Sequence, residues 1–348
     1  MRAANKREAV KVDENGRRRN AAQRARRLAH NQADAMPVVA PGDGPRQVRV
    51  VEGDLRDPAP TGGLREVLSQ RYLLRLIVQR QLAQMYAASA LGLLWSYIQP
   101  AIRFGTYYLV FAVLLQAHRT TPAFAVHLFT GMVFVHLFTE AWSGGTRSIT
   151  QNRALVLKMR MPREVFPVAS MLVALYHTFP QVLVLVLCCV LSGWHVTLGS
   201  VAAAVLGLAI VMSFGMAAGL FFSALNVFYR DFQNIVATIM SFLHFMVPMM
   251  YGFDRVWKLH DSHPWIYQLY MANPLTEGVL LLQKFFWYPV LDAEQHRGNT
   301  IIAGGRRVIA FPPDVWERGL ISLVVCLLLL WAAQRFFSRV EDKFPERL

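Results

Sequence analysis

The residues that could do chemistry are few and scattered, and they form no catalytic or metal-binding motif. Asp254, Asp261, Asp292 and Glu294 lie at spacings that match no metal site or paired-carboxylate pattern. The sequence also contains no Gly-x-x-x-x-Gly-Lys-Ser/Thr motif to hold the phosphates of a nucleotide. We therefore expect a chain that is not an enzyme and that binds no metal or cofactor. If ATP is used, a separate subunit must bind ATP and its magnesium.

Arg103 is the most informative charged residue, because it interrupts the aromatic-rich apolar run that follows Trp95. An Arg near the centre of a membrane helix costs about 2.5–3.5 kcal/mol, so we expect its side chain to face the bundle interior or a wet cavity. There it would contact an anionic diphosphate or a glycan, while Phe104, Tyr107 and Tyr108 would offer aromatic faces to sugar rings. The alternative, that Arg103 snorkels to the inner interface, stays open.

Four histidines and one acid also lie in or near apolar segments, where polar side chains are costly unless they are paired. They are His127, His136, Glu140, His177 and His244. Their spacing matches no metal signature, so hydrogen bonding between helices is favoured over a proton relay or a metal site.

Composition indicates which elements must position these residues. Hydrophobic residues make up 54% of the 348 residues and charged residues 17%, whereas roughly a quarter of a soluble globular protein is charged. This combination predicts a polytopic membrane protein. The net charge of +14 then reflects basic cytoplasmic segments and not a nucleic-acid partner, because Lys and Arg concentrate on the inner side of a membrane.

Six apolar segments are candidates to cross the bilayer. They cover residues 94–116, 122–142, 165–191, 197–225, 232–252 and 319–333. Two further apolar stretches, within about 256–290, are too short to span and are separated by Asn273-Pro274. They predict two short re-entrant helices on the outer side, followed by an external polar loop. The predicted fold is an all-α membrane protein with six transmembrane helices.

Two segments precede the first predicted span. Residues 1–60 lack apolar periodicity, and residues 1–30 hold ten basic against three acidic residues, which predicts a disordered basic arm and linker. Residues 61–90 repeat apolar residues at three- and four-residue steps, which predicts an amphipathic helix in the cytoplasmic interface. The 143–164 loop holds five basic residues and one acid. This loop and both termini are therefore expected to be cytoplasmic.

Four short motifs occur in an order that resembles the ABC-2 type permeases of polysaccharide exporters, which handle O-antigen, teichoic acid or galactan. The first is the entry to the first span, with Leu91-Gly92, Leu94-Trp95 and Pro100. The others are Asn152-x-x-Leu155 with the following Lys158-Met159-Arg160-Met161-Pro162-Arg163-Glu164, then Tyr229-Arg230-Asp231, then Asn273-Pro274-Leu275. The resemblance covers residues 64–348 and implies a six-span domain over 91–348.

The resemblance also implies roles for particular residues. The loop after the second span would carry a short coupling helix that sits in a cleft of the nucleotide-binding subunit, and its basic charge fits a cytoplasmic contact. The coupling residues would be Asn152, Leu155, Lys158, Arg160, Pro162, Arg163 and Glu164. Trp95 is expected at the cytoplasmic interface, together with a turn at Tyr229-Arg230-Asp231 that charge-assisted hydrogen bonds could pin. The outer-gate candidates are Asn273, Pro274 and Glu277.

The predicted function is that of a permease subunit, acting as a homodimer with two nucleotide-binding subunits. The complex would export a lipid-linked polysaccharide of the O-antigen, galactan or teichoic acid type across the plasma (inner) membrane. Two alternatives remain. An ABC-2 permease for a drug or small lipid would be expected to lack the interfacial helix and the outer half-helices. A membrane glycosyltransferase or polymerase would need a carboxylate cluster on a large loop.

Overall fold

The computed structural model describes residues 63–86, 92–159, 161–292 and 296–348. The predicted basic arm and linker, the last residues of the predicted interface helix and Arg160 lie outside the described residues. Within the described part, four helical stretches are long and apolar enough to cross a membrane. They are Phe124–Gln151, Val165–Leu191, Leu198–Phe228 and Val315–Arg347. A predominantly helical membrane protein is confirmed.

The elements are numbered here in chain order. The first three helices are α1 (Gly63–Ser69), α2 (Arg71–Tyr86) and α3 (Trp95–Tyr107). The middle helices are α4 (Phe124–Gln151), α5 (Arg153–Lys158), α6 (Val165–Leu191), α7 (Leu198–Phe228) and α8 (Phe232–Leu243). The remaining helices are α9 (Phe253–Ser262), α10 (Pro264–Met271), α11 (Pro274–Phe286), α12 (Val315–Val340) and α13 (Phe344–Arg347). Three strands, β1 (His296–Arg297), β2 (Thr300–Ala303) and β3 (Arg306–Ile309), lie between α11 and α12.

The central helix of the bundle is α7, which packs against α4, α11 and α12. Glycines let it approach its neighbours closely, as small residues do in membrane bundles. A Cβ atom built on Gly145 of α4 would lie 2.7 Å from the Cα of Gly219. One built on Gly207 would lie 2.7 Å from the carbonyl oxygen of Gly278 on α11. The residues of α7 therefore set how near α4 and α11 can lie.

Residues 95–114 are helical throughout, within the predicted first span. The backbone changes at Tyr108 from the α-helix of α3 to a π-helix that continues to Leu114. Pro100 lies inside α3. The change to a π-helix distinguishes residues 108–114 from the regular α-helices of the bundle. π-helical turns are rare and frequently occur at functional sites.

The helix within the predicted fifth span, residues 232–252, is shorter than the sequence predicted. Helix α8 stops at Leu243, and residues 244–252 form an irregular segment around Pro248, which has no N–H to continue a helix. The Thr276 hydroxyl donates to the Met246 carbonyl at 3.1 Å. The Gln283 amide donates to the Pro248 carbonyl at 2.9 Å. Side chains of α11 thus satisfy backbone acceptors that lipid would leave unpaired.

The segment after this turn also differs from the prediction. Three helices, α9 to α11, occupy residues 253–286, where two half-helices were expected. Helix α11 is largely buried and packs against α4, α7 and α12. In place of the predicted polar loop, the strands form an antiparallel sheet in the order β1-β2-β3. Gly304-Gly305, both with positive φ, connect β2 to β3, as a tight hairpin turn favours.

The two ends of the bundle are built by different elements. At the first, called the α5 end here, α1, α2, α5 and α13 share a core with the C-terminal ends of α4 and α7 and the start of α6. Members of this core include Val67, Leu74, Ile149, Val156, Phe166, Val227 and Phe344. At the other, called the sheet end, the Trp194 indole donates to the Phe285 carbonyl at 2.9 Å, and the Trp287 indole donates to the Pro122 carbonyl at 2.8 Å.

Candidate functional site

Helix α5 is a short helix that joins two long membrane helices at the α5 end. Asn152 forms the junction: its side-chain amide donates to the Ser148 carbonyl at 2.8 Å, and its own carbonyl accepts the Leu155 N–H at 2.9 Å. Val156 is buried in the core of this end. One side of α5 is therefore held against the protein, which fixes where the opposite side points.

The exposed residues of α5, with Met159 directly after it, form an apolar patch with basic neighbours. Leu157 and Met159 are 45% and 50% exposed, and Arg153 and Lys158 are exposed beside them. These four residues are called the α5 surface below. Exposed apolar side chains within a charged rim have the composition of a protein-binding surface.

Other predicted coupling residues face inward. The buried members are Pro162, Arg163 and Glu164. The Arg163 guanidinium donates to the Glu341 carbonyl and lies 5.9 Å from the centre of the Phe344 ring. The Gln334 amide of α12 donates to the Glu164 carboxylate at 2.9 Å. Arg163 and Glu164 thus fasten the start of α6 to the C-terminal segment and do not present their side chains to a partner.

We expect the substitution Arg163→Ala to destabilise the chain by about 1–3 kcal/mol, because the buried Glu341 carbonyl loses its donor. The exposed neighbour Lys158 provides the control, and Lys158→Ala should change the free energy of unfolding by less than about 0.5 kcal/mol. Thermal unfolding of the purified chain in detergent measures both. Equal unfolding midpoints for the two variants would contradict the anchoring role of Arg163.

A polar cavity of about 330 Å³ lies between α3, α4 and α6. Its polar and aromatic lining consists of Trp95, Ser96, Gln99, Arg103, His136, Glu140, His177 and Gln181. The His177 ring contacts the Glu140 carboxylate, and Nε2 of His136 lies 3.5 Å from the second Glu140 oxygen. Glu140 therefore links α4 to α6, as the hydrogen-bonding interpretation predicted. His127 lies elsewhere, edge-on to the Trp287 ring with ring centres 4.7 Å apart.

The four predicted substrate-path residues, three on α3 and Tyr108 at the start of the π-helix, do not share one surface. Arg103 lines the polar cavity. Phe104 instead lines an apolar cavity of about 270 Å³, where its ring centre lies 5.2 Å from that of Phe129. Tyr108 stacks on Phe104 at 5.8 Å, and Tyr107 is partly buried against the core. Charge and aromatic faces are thus directed to neighbouring but separate spaces.

The Tyr229-Arg230-Asp231 turn between α7 and α8 is exposed. Backbone hydrogen bonds hold it: the Phe232 N–H donates to the Tyr229 carbonyl at 3.2 Å, and the Asn234 N–H donates to the Asp231 carbonyl at 2.9 Å. Among the described contacts, no hydrogen bond or ion pair joins the side chains of Arg230 and Asp231. The backbone, rather than the predicted side-chain bonds, therefore fixes this turn.

The predicted outer-gate residues form the start of α11. The Asn273 side chain accepts the Leu275 N–H at 3.1 Å, and Pro274 occupies the first turn. Glu277 is fully buried, and its carboxylate oxygens have no hydrogen-bond partner among the described residues. Burial raises the pKa of Glu277 to about 8, opposed by the nearby positive charge of Arg318. Below that pH the buried carboxyl holds its proton.

This raised pKa predicts that stability falls as the pH rises. In the unfolded chain Glu277 ionises near its usual 4.5, whereas the folded chain keeps the proton up to about 8. The stabilisation is complete below the lower value and is lost progressively as the pH rises to the upper one. Glu277→Gln should therefore flatten the dependence of the unfolding midpoint on pH between about 6 and 8. The exposed substitution Glu317→Gln is the control, and a parental slope in Glu277→Gln would refute this origin of the pH dependence.

The candidate sites lie in a part of the chain that matches a known protein family. The model of the ABC-2 type transporter family matches residues 72–287. The chain belongs to the ABC-2 type transporter family. The match runs from α2 past the end of α11, so it includes α5, both cavities and Glu277. The resemblance indicated by the four motifs is thereby confirmed, and the chain is the membrane subunit of a transporter, not an enzyme.

Three individual relatives are 24–27% identical to this chain over the aligned residues. The O-antigen export system permease protein RfbA of Myxococcus xanthus is 27% identical over 289 residues, which cover 82% of this chain and 98% of the relative. A protein of the same name from Klebsiella pneumoniae is 25% identical over 230 residues, covering 64% of this chain and 83% of the relative. Another from Klebsiella pneumoniae is 24% identical over 225 residues.

Sequence reasoning missed two residues of this ABC-2 fold. Thr276 and Gln283 are buried on α11 and support the irregular segment that follows α8. They are seven residues apart, about two helical turns, so both lie on one face of the helix. That spacing in the sequence indicates two polar side chains on the same face of the helix. The sequence did not reveal which backbone these side chains would meet.

Proposed function

We propose that this chain is the permease subunit of an ATP-driven exporter that moves a lipid-linked polysaccharide across the plasma (inner) membrane. Two copies would act with two nucleotide-binding subunits, which carry ATP and magnesium. The observation that carries the proposal is the α5 surface: an exposed apolar and basic patch on a helix held rigidly between two membrane helices. Membership of the ABC-2 family supports a transporter role, and the names of the relatives support a polysaccharide as the substrate.

The α5 surface is well placed to transmit a movement of a cytoplasmic partner to the membrane helices. Buried Val156 and the Asn152 junction tie α5 to α4, while Arg163 and Glu164 tie the start of α6 to the C-terminal segment. A push on Leu157 would therefore reach α4 through the Asn152 junction, and the start of α6 through the core that Val156 and Phe166 share. The sequence has no phosphate-binding loop of its own, so the driving force must arrive through such a contact.

The positions of the helix ends support six crossings. Helix α4 starts at the sheet end and finishes at the α5 end, where α2 also packs. The helix of residues 95–114 is therefore needed to carry the chain across before α4 begins. By the same reasoning α8 and the irregular segment after it return the chain to the sheet end before α12. Both described termini lie at the α5 end, which we propose is cytoplasmic because its loops are basic.

The proposal is tested by expressing the chain with its candidate ATPase and reconstituting the pair in lipid. ATP hydrolysis is then measured with and without undecaprenyl- or decaprenyl-linked glycan extracts. We expect a stable two-plus-two complex whose hydrolysis is stimulated by one class of extract. Stimulation by small lipids or drugs alone would replace the polysaccharide assignment. A chain that purifies alone, indifferent to ATPase and glycan, would refute the exporter.

A further inference from the structure

Two cavities lie side by side between α3, α4 and α6. The polar cavity and the apolar cavity share Pro100 and Gln181 in their walls. Apart from these, the apolar cavity is lined chiefly by hydrocarbon and aromatic groups such as Phe104, Phe129 and Val184. A charged space that adjoins an apolar one matches a ligand with an ionic head and a hydrocarbon chain.

Arg103 supplies the cation at the polar end. The groups that face this position are Arg103 from α3, His136 and Glu140 from α4, His177 from α6 and His244 from the irregular segment after α8. Glu140 contacts His177 and lies close to His136, and within the part of the chain described here no carboxylate forms an ion pair with Arg103. An Arg within a membrane helix is costly while its charge is uncompensated. A bound phosphate or diphosphate would compensate it, and the planar guanidinium matches phosphate oxygens.

Phe104 supplies the aromatic contact at the apolar end. It follows Arg103 directly, and successive residues of an α-helix are rotated by about 100°. One turn of α3 therefore presents its charge to the polar cavity and its ring to the apolar cavity. The Phe104 and Phe129 rings meet edge-on with centres 5.2 Å apart, so the apolar wall is built jointly by α3 and α4.

We infer that the two cavities form one binding site for a long-chain phosphate or diphosphate amphiphile, with its head at Arg103 and its chain along Phe104 and Phe129. The identity of the occupant rests on the proposed function: it is the isoprenoid diphosphate carrier of the exported glycan. A single chain supplies the lining of both cavities, chiefly from α3, α4 and α6, with Met85 of α2 and Gly92 added at the polar cavity. An ordinary anionic phospholipid and inorganic diphosphate are the competing occupants.

The test measures equilibrium binding of radiolabelled decaprenyl diphosphate to the purified full-length chain in phosphatidylcholine nanodiscs. Arg103→Gln removes the cation. Ala101→Phe fills the apolar cavity, which Ala101 lines from an exposed position on α3. We expect each to weaken binding about tenfold or more. Arg119→Gln, an exposed arginine outside both cavities, should leave the affinity unchanged.

Arg103→Lys keeps the positive charge but loses the planar guanidinium that can bond two phosphate oxygens at once, so we expect an intermediate affinity. It also serves if Arg103→Gln fails to fold, which size-exclusion chromatography reports. Parental affinity in both Arg103 variants, or in Ala101→Phe, would overturn the inference. Equal displacement of the label by phosphatidylglycerol would indicate an ordinary phospholipid site, and equal displacement by inorganic diphosphate would indicate a head-group site without a chain site. Both results would overturn it.

The outcome is separable from that of the proposed function, because binding is measured without the ATPase. Absence of decaprenyl diphosphate binding, with glycan-stimulated ATP hydrolysis intact in the reconstituted complex, would refute this inference and leave the exporter standing. Specific binding in a chain that no ATPase or glycan affects would uphold the site and refute the exporter.

Discussion

Lys158→Glu is expected to reduce ATP-driven transport about tenfold or more in the reconstituted complex while ATP hydrolysis continues. Lys158 is exposed between Leu157 and Met159 on the α5 surface. Reversing a charge at a complementary interface sets like charges together and costs several kcal/mol, and about 1.4 kcal/mol already changes an equilibrium tenfold. Because Lys158 is exposed, fold stability should stay within about 0.5 kcal/mol of the parent.

The measurement compares transport and ATP hydrolysis in the same proteoliposomes. Lys343→Glu reverses an exposed charge at the same end of the bundle that does not belong to α5, and should leave transport unchanged. Combining Lys158→Glu with Arg160→Glu should deepen the loss. If Lys158→Glu transports normally, α5 does not couple the ATPase to transport.

Gly145→Ala is expected to destabilise the fold by about 1–3 kcal/mol, the usual cost of overpacking a core. The added Cβ would meet backbone atoms of α7, with the Gly219 Cα only 2.7 Å away. Backbone atoms cannot move aside as the end of a flexible side chain can. Helices α4 and α7 would have to separate, and since α7 also packs against α11 and α12, the displacement would reach the whole bundle.

Gly199→Ala is the matched control, because a Cβ on Gly199 meets no atom within 4 Å. In an open helical position alanine is favoured over glycine by roughly 0.5–1 kcal/mol. The same substitution should therefore lower the unfolding midpoint at position 145 and leave it unchanged or raise it at position 199. A fall of equal size at both positions would show that helix propensity, not the contact with Gly219, sets the effect.

Sequence reasoning succeeded where a property is local. Apolar runs and their flanking charges located the four long membrane helices, and the Asn152-x-x-Leu155 motif located α5. It failed where a distant contact decides the outcome. The predicted fifth span ran straight through Pro248, whereas the structure has an irregular segment there that is supported by Thr276 and Gln283 from a different helix. The sheet was also missed, because the polar composition of its segment was interpreted as a loop and the Gly304-Gly305 turn was not recognised.

The predicted coupling residues show, within a single segment, the same difference between what local sequence decides and what distant contacts decide. The sequence placed Lys158, Arg163 and Glu164 together as basic and acidic residues of one loop. The structure separates them, because Arg163 and Glu164 meet Glu341 and Gln334 from the far end of the chain. Likewise Arg103 and Phe104 looked like one substrate surface, yet helical rotation directs them into two cavities.

The sequence by itself determined that this protein crosses the membrane several times, because hydropathy and charge bias follow from residue types within a short stretch. Its four short motifs, in order, gave the resemblance to the ABC-2 type permeases. Only the tertiary structure decided which polar residues are anchors, which are exposed and which line a shared cavity. Those properties depend on the distance between side chains brought together from separate helices. That distance is set by how closely Gly145, Gly207 and their neighbours let the helices pack.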